Sequence, residues 1–165
     1  MSMFWPESSG FVSGIVVARS EQTSWPALAD LYRECFDEPW PLVSIENLLR
    51  PPGCWALLAE ISDSDLIIPA GFALARIVHD EAEVLSLGVS PRFRRRGVAK
   101  ALMQKVLSCA RQKCAASLYL EVGIDNNAAL TFYKKMNFKT IARRKGYYRR
   151  ADRSQVDALV MKIVL

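Results

Sequence analysis

The stretch Val89-Ser-Pro-Arg-Phe-Arg-Arg-Arg-Gly-Val-Ala-Lys100 joins two segments of different period. Before it, Glu81 to Val89 predicts a strand. After it, Val98, Leu102, Val106 and Cys109 recur near helical spacing, with Ala101, Leu107 and Ala110 widening the face. The periodicity predicts a helix from about Arg95 to Lys113. A strand that hands over to a helix through one short turn requires strands and helices packed in layers. It also gathers Arg92, Arg94, Arg95, Arg96 and Lys100 around Gly97 at a helix N-terminus. There the first N–H groups lack partners and the helix dipole favours an anion. The turn therefore predicts a site for a phosphate-bearing cofactor.

The remaining elements follow from period and punctuation. Ser13 to Arg19 reads as a strand and Trp25 to Phe36 as a helix with Leu28, Leu31, Tyr32 and Cys35 on one face. Asp37-Glu-Pro-Trp-Pro41 stops that helix, because its prolines cannot continue one. A second short helix covers Leu42 to Leu49. Strands are expected over Cys54 to Ile61, Leu66 to Val78, Ser117 to Val122, Phe138 to Arg143 and Ala158 to Leu165. Ser62 to Asp65 reads as a turn. A further helix runs from Asn126 to Met136, with Asn126 or Asn127 as its N-cap. The order β-α-α-β-β-β-α-β-α-β-β predicts one α/β domain, and 165 residues suffice for its core.

Composition removes several function classes. About half the residues are apolar (51%) and 24% are charged, a globular balance. No run of about 18 apolar residues occurs, so no membrane partner is expected. The first residues lack a charged and then apolar leader, so no signal peptide is expected, and residues 1–12 read as a flexible tail. Cys35, Cys54, Cys109 and Cys114 show no C-x-x-C spacing and His79 is the one histidine, which argues against a zinc site. Reduced thiols in a cytoplasmic protein are the plain reading. The net charge of +5 invites a nucleic-acid partner, but the cations are clustered at Arg92–Lys100, Arg143–Lys145 and Arg149, Arg150 and Arg153. Aromatics are not interleaved with them in an RNA-binding pattern, so no direct nucleic-acid contact is expected. The later clusters fit a solvated face or a substrate-facing loop.

The turn has neither G-x-x-x-x-G-K-S/T nor G-x-G-x-x-G spacing, which excludes a Walker loop and a Rossmann turn. Arg94-Arg-Arg-Gly-Val-Ala99 matches Arg/Gln-x-x-Gly-x-Gly/Ala. It is followed in order by Leu118-Tyr-Leu-Glu-Val122, Asn126, Phe132-Tyr133 and Met136-Asn-Phe138. This ordered set resembles the GNAT superfamily of N-acetyltransferases, and within it the bacterial RimI-type enzymes that acetylate the N-terminal alanine of a ribosomal protein. Pro39-Trp40, Tyr147-Tyr148 and Asp157-Ala-Leu-Val-Met161 also look like that family.

The resemblance implies a mixed central sheet of about seven strands, splayed at the cofactor site and flanked by about four helices. It implies acetyl-CoA as co-substrate, without metal, and a protein N-terminus, as on a ribosomal protein, as acceptor. By the same resemblance Glu121 is the general base and Tyr133 the general acid. Leu87, Gly88 and Val89 pair with the pantetheine arm. Arg94, Arg95, Arg96, Gly97, Val98, Ala99 and Lys100 hold the pyrophosphate, and Asn126 touches the cofactor. Trp40, Tyr147 and Tyr148 are candidate walls of a peptide groove. Plainer readings stand beside these: Glu121 as a strand-end carboxylate, Tyr133 as core, Asn126 as a cap alone, and Trp40 as core. Gly123 and Ile124 stand where RimI-type enzymes often carry an arginine and a small residue, which leaves open a different acceptor. A small-molecule amine or a lysine side chain is the alternative acceptor, and a non-catalytic basic ribosome- or RNA-binding module is the alternative of another class.

Overall fold

Alternating burial along the strands sets up two apolar faces, and each face receives its own helices. A computed structural model describes residues 14–63, 66–149 and 153–165. The elements are β1 (Ile15–Arg19), α1 (Trp25–Cys35), α2 (Leu42–Leu49), β2 (Cys54–Asp63), β3 (Leu66–Val78), β4 (Glu81–Val89), α3 (Val98–Gln112), β5 (Ser117–Gly123), α4 (Asn127–Lys135), β6 (Lys139–Arg149) and β7 (Gln155–Val164). The expected tail over residues 1–12 lies outside the described residues, as do the tip of the Ser62–Asp65 turn and Arg150.

The strands form one sheet in the order β1-β2-β3-β4-β5-β7-β6. Its pairs are antiparallel except β4–β5, which is parallel. Parallel neighbours need a crossover, and α3 supplies it. The mixed seven-stranded sheet with four helices agrees with the expected fold class.

On β2 and β3 the period of two separates the faces. Ala56, Leu58, Phe72 and Leu74 meet Leu28, Leu31, Tyr32, Ile45 and Leu49 of α1 and α2. Leu57, Ala59, Ala73 and Ala75 face the other cluster, with Val98, Leu102 and Val106 of α3 and Tyr133 of α4. The sheet residues under α3 are small, so the helix lies close. A Cβ on Gly71 would stand 2.7 Å from the Gly88 carbonyl and 3.0 Å from Val98 Cγ1. Prolines shape the first helices. Pro26 opens α1, and Pro41 precedes α2.

Several expected boundaries move by one or two residues, as where β2 runs through Ser62 to Asp63, expected to be turn, and three move by three residues or more. The helix after the basic turn begins at Val98, not Arg95. Arg95 has φ of 64° and Gly97 of 89°, so the chain makes left-handed steps before the helix starts. β6 runs on to Arg149 instead of stopping at Arg143, because a bulge carries the strand past a break in register. β7 starts at Gln155, not Ala158, to pair with that extension.

Leu102 is fully buried between α3 and the sheet. Leu102→Ala is expected to lower the free energy of unfolding by about 2–5 kcal/mol. Denaturant titration checks this, with the midpoint falling and the slope unchanged.

Candidate active site

The site forms where β4 and β5 part. Their parallel register holds only from Glu81–Ser117 to Val84–Leu120. At that level Leu74 of β3 faces Ser86 while Ala75 faces Val84, so Leu85 is an extra residue in β4. A bulge of this kind bends its strand and raises the local twist. Beyond it, Ser86–Val89 keeps its antiparallel partner β3 but has no partner on the β5 side. On the opposite edge of β5, pairing with β7 continues, through Glu121–Val160, Val122–Leu159 and Gly123–Ala158. The gap thus has the β4 edge at Leu87, Gly88 and Val89 on one side and Glu121 on the other.

One end of the gap is cationic. Ser90 leads into a short 3-10 turn, Pro91–Phe93, and Phe93 is buried beneath the loop. The Arg92 and Arg96 guanidiniums lie 5.5 and 5.6 Å from the Phe93 ring centroid, within cation–π range. Arg94 Nε donates to the Val89 carbonyl at 3.3 Å. Arg95 and Lys100 are exposed. The N-cap of α3 is Gly97, which offers no side-chain cap, and the first turn carries no acidic residue. The N–H groups of Val98, Ala99 and Lys100 therefore face an anion site without a competing carboxylate. A pyrophosphate fits this donor set, and an extended amide-bearing arm fits the open β4 edge.

The other end holds the titratable groups. Asn126 caps α4, its side-chain oxygen accepting from Ala129 N–H at 3.1 Å. That cap orients Tyr133, two turns along, which is buried against Phe132 and Phe138. Burial pushes the Tyr133 phenol well above its usual range, with nearby Tyr148 a smaller cause. Tyr148 OH donates to the Glu121 carbonyl at 3.3 Å. The Glu121 carboxylate is 14% exposed and takes Arg144 Nη1 at 2.9 Å. It also accepts a hydrogen bond from Tyr147, whose phenol pKa is raised first by that bond and then by burial. Glu121 is thus bordered by Tyr147 and Tyr148, and Tyr148 also acts on Tyr133.

Trp40 sits elsewhere on the rim. It is 37% exposed and stacks on Tyr32 at 5.3 Å between ring centroids. Tyr32 in turn donates to Ser86 Oγ at 2.9 Å, which ties α1 to the freed part of β4. Among the described residues no cluster of three or more His, Cys, Asp or Glu side chains has a metal-holding arrangement. No described helix is long and apolar enough to cross a membrane.

The family model described as the acetyltransferase (GNAT) family matches residues 25–138. The chain belongs to this family. It is an acetyl-CoA-dependent N-acetyltransferase. It is 35% identical over 124 residues to the N-alpha-acetyltransferase RimI of Mycobacterium tuberculosis, covering 73% of this chain and 76% of the relative. It is 32% identical over 147 residues to the ribosomal protein bS18-alanine N-acetyltransferase of Escherichia coli, covering 89% and 95%. The crystal structure of the ribosomal-protein-S18-alanine N-acetyltransferase from Escherichia coli superposes with a TM-score of 0.81 at 24% identity, covering 91% of this chain and 93% of that one. Arabidopsis thaliana NAA60 in complex with acetyl-CoA superposes with a TM-score of 0.78 at 22% identity, covering 92% and 98%. These two likenesses show the acetyltransferase fold.

Two residues of this acetyltransferase site were given no role of their own from sequence. Arg144 belongs to a basic cluster read as a solvated face or loop, yet it ends on Glu121. Asp157 builds the bulge that places Arg144 and the two tyrosines. Between the Arg144–Ala158 and Tyr148–Val156 pairs, Lys145, Gly146 and Tyr147 lie opposite Asp157 alone. The Asp157 carboxylate accepts from Gly146 N–H at 2.8 Å and from Arg143 Nε at 2.5 Å. Those bonds, the backbone one first, hold its pKa below the usual carboxylate range. Gly146 takes φ of 57°, a left-handed step that suits glycine. No sequence pattern announces such a bulge, because it depends on the register of two distant strands.

Asp157→Ala is expected to release this bulge. Hydrogen exchange at the amides of Arg144 to Tyr148 should quicken while that of α3 stays unchanged. Unchanged exchange across the bulge would show that Asp157 does not hold it.

Proposed function

We propose that this enzyme moves acetyl from acetyl-CoA to the N-terminal amine of a protein, with the N-terminal alanine of a ribosomal protein as acceptor. The observation that carries the reading is the gap between β4 and β5, with Glu121 at its lip and Tyr148 linking it toward the buried Tyr133 phenol. The names of the bS18-alanine and RimI relatives support the acceptor.

The acceptor arrives as an ammonium, with a pKa near ~8, and cannot attack until it loses a proton. Glu121 takes that proton, directly or through a water, an assistance worth roughly 10²–10⁴-fold. The thioester supplies the acetyl group. A backbone N–H on the open edge of Leu87–Val89 steadies the oxygen on which charge develops. Tyr133 supplies a proton to the departing sulfur, and its raised pKa keeps the phenol protonated through neutral pH. Arg94, Arg95, Arg96, Lys100 and the α3 N-terminus hold the pyrophosphate, with Asn126 alongside. Trp40, Tyr147 and Tyr148 border the acceptor's path. A soluble cytoplasmic setting suits a ribosomal acceptor.

Glu121→Gln and Tyr133→Phe are each expected to lower kcat by roughly 10²–10⁴-fold on an Ala-starting peptide. Both should keep the rise in Tm that acetyl-CoA brings by binding the folded state, about 2.7 kcal/mol of added stability at a hundredfold excess over Kd. Mass spectrometry of a peptide panel and a melting curve read the two effects. Wild-type turnover in both variants would remove the roles assigned, and acetylation of polyamines with Ala-starting peptides ignored would remove the acceptor.

A further inference from the structure

The carboxylate at the lip of the gap already holds a cation. Arg144 Nη1 is 2.9 Å from Glu121 Oε1, and the guanidinium carbon is 5.3 Å from the Tyr147 ring centroid. A carboxylate on one side and an aromatic face on the other make a cation site. Glu121 is nearly covered at 14% exposure, whereas Arg144 is open at 54%. The carboxylate is therefore set into the sheet, and its cation reaches it from β6.

The surroundings favour cations beyond this pair. Glu121 and Arg144 line a cleft of about 360 Å³ together with Arg76, Glu81, Glu83 and Tyr119. Its lining has three carboxylates against two guanidiniums, although the chain as a whole carries +5. The other two carboxylates are engaged within the sheet face. Glu83 binds Arg76 at 2.7 Å and Glu81 accepts from Tyr119 OH at 3.0 Å. Glu121 is the carboxylate of the three whose cation comes from the bulged hairpin.

We propose that the Arg144 guanidinium occupies the place of the acceptor's ammonium in the free enzyme, and that the acceptor binds by exchanging with it. This rests on the reading of Glu121 as the group that meets the acceptor amine. An acceptor ammonium at this place would draw on the same Glu121 oxygen and the same Tyr147 ring face as the Arg144 guanidinium, so the internal cation competes with the external one. Only the fraction of molecules with Arg144 swung out is competent, and the apparent acceptor affinity falls by that fraction. An amine that brings no further contacts displaces Arg144 poorly. A peptide N-terminus, with contacts beyond its first residue, displaces it well. Arg144 thus sets acceptor selectivity without taking part in proton transfer.

The test is steady-state acetylation of an Ala-starting peptide by wild type, Arg144→Ala and Arg144→Lys at saturating acetyl-CoA. An exposed ion pair of this kind predicts that Arg144→Ala lowers the acceptor KM roughly two- to five-fold, with kcat unchanged. Arg144→Lys, which keeps a cation, should lie between. A KM that is unchanged or higher in Arg144→Ala overturns the exchange. So does a fall in kcat that lysine restores, which would make Arg144 a positioning residue for Glu121. An independent readout is the Arg144 Nε–H resonance of the wild-type protein titrated with an Ala-starting peptide and, beside it, with alaninamide, a minimal α-amine. Saturable release of the guanidinium supports the exchange, and a resonance that never moves overturns it. Release by alaninamide in an enzyme that ignores every Ala-starting peptide would leave the exchange standing and remove the protein acceptor.

Discussion

The rest of the site depends on the loss of pairing between two parallel strands. β4 and β5 share four register pairs and then separate at the Leu85 bulge. Separation leaves backbone N–H and C=O groups on the freed edge of β4 in need of partners, since an unpaired buried polar group is costly. An extended amide-bearing ligand meets that need as a missing strand would. The same divergence opens space beside Glu121, which stays anchored through β7. One irregularity therefore leaves both an open strand edge and a gap beside a carboxylate.

The two ends of this gap are held by different devices. At the cationic end, buried Phe93 carries two guanidiniums over its ring, and left-handed steps at Arg95 and Gly97 turn the chain into α3 without an acidic first turn. At the other end, the Asp157 carboxylate gathers Arg143 and Gly146, and the bulge places Arg144, Tyr147 and Tyr148 around Glu121. The first device is contiguous in sequence. The second joins β5, β6 and β7, and so depends on pairing across the sheet.

This difference explains which parts were legible. Strands β3 and β4 and helix α2 were read to their observed ends, because their apolar period runs cleanly between turns and prolines. The start of α3 was placed three residues early, since arginines are good helix formers and their composition does not reveal a left-handed step. β6 was cut short because its burial is low and its pattern is broken by the bulge. Asn126 as the cap of α4 was recognisable, since an asparagine ahead of an apolar period has few other local uses. Trp40, left open between core and groove wall, is half-exposed and stacked on Tyr32.

By itself the sequence determined the α/β order, the basic turn at a helix N-terminus and, through the ordered set from Arg94 to Phe138, the family. These are local properties: period, punctuation and contiguous motif survive in a linear string. Only the tertiary structure decided that β4 and β5 part after Val84, that Arg144 reaches Glu121 across β7, and that one aspartate holds three residues of the facing strand in a bulge. These depend on register between segments far apart in the chain, and a shift of one residue would turn each side chain to the other face.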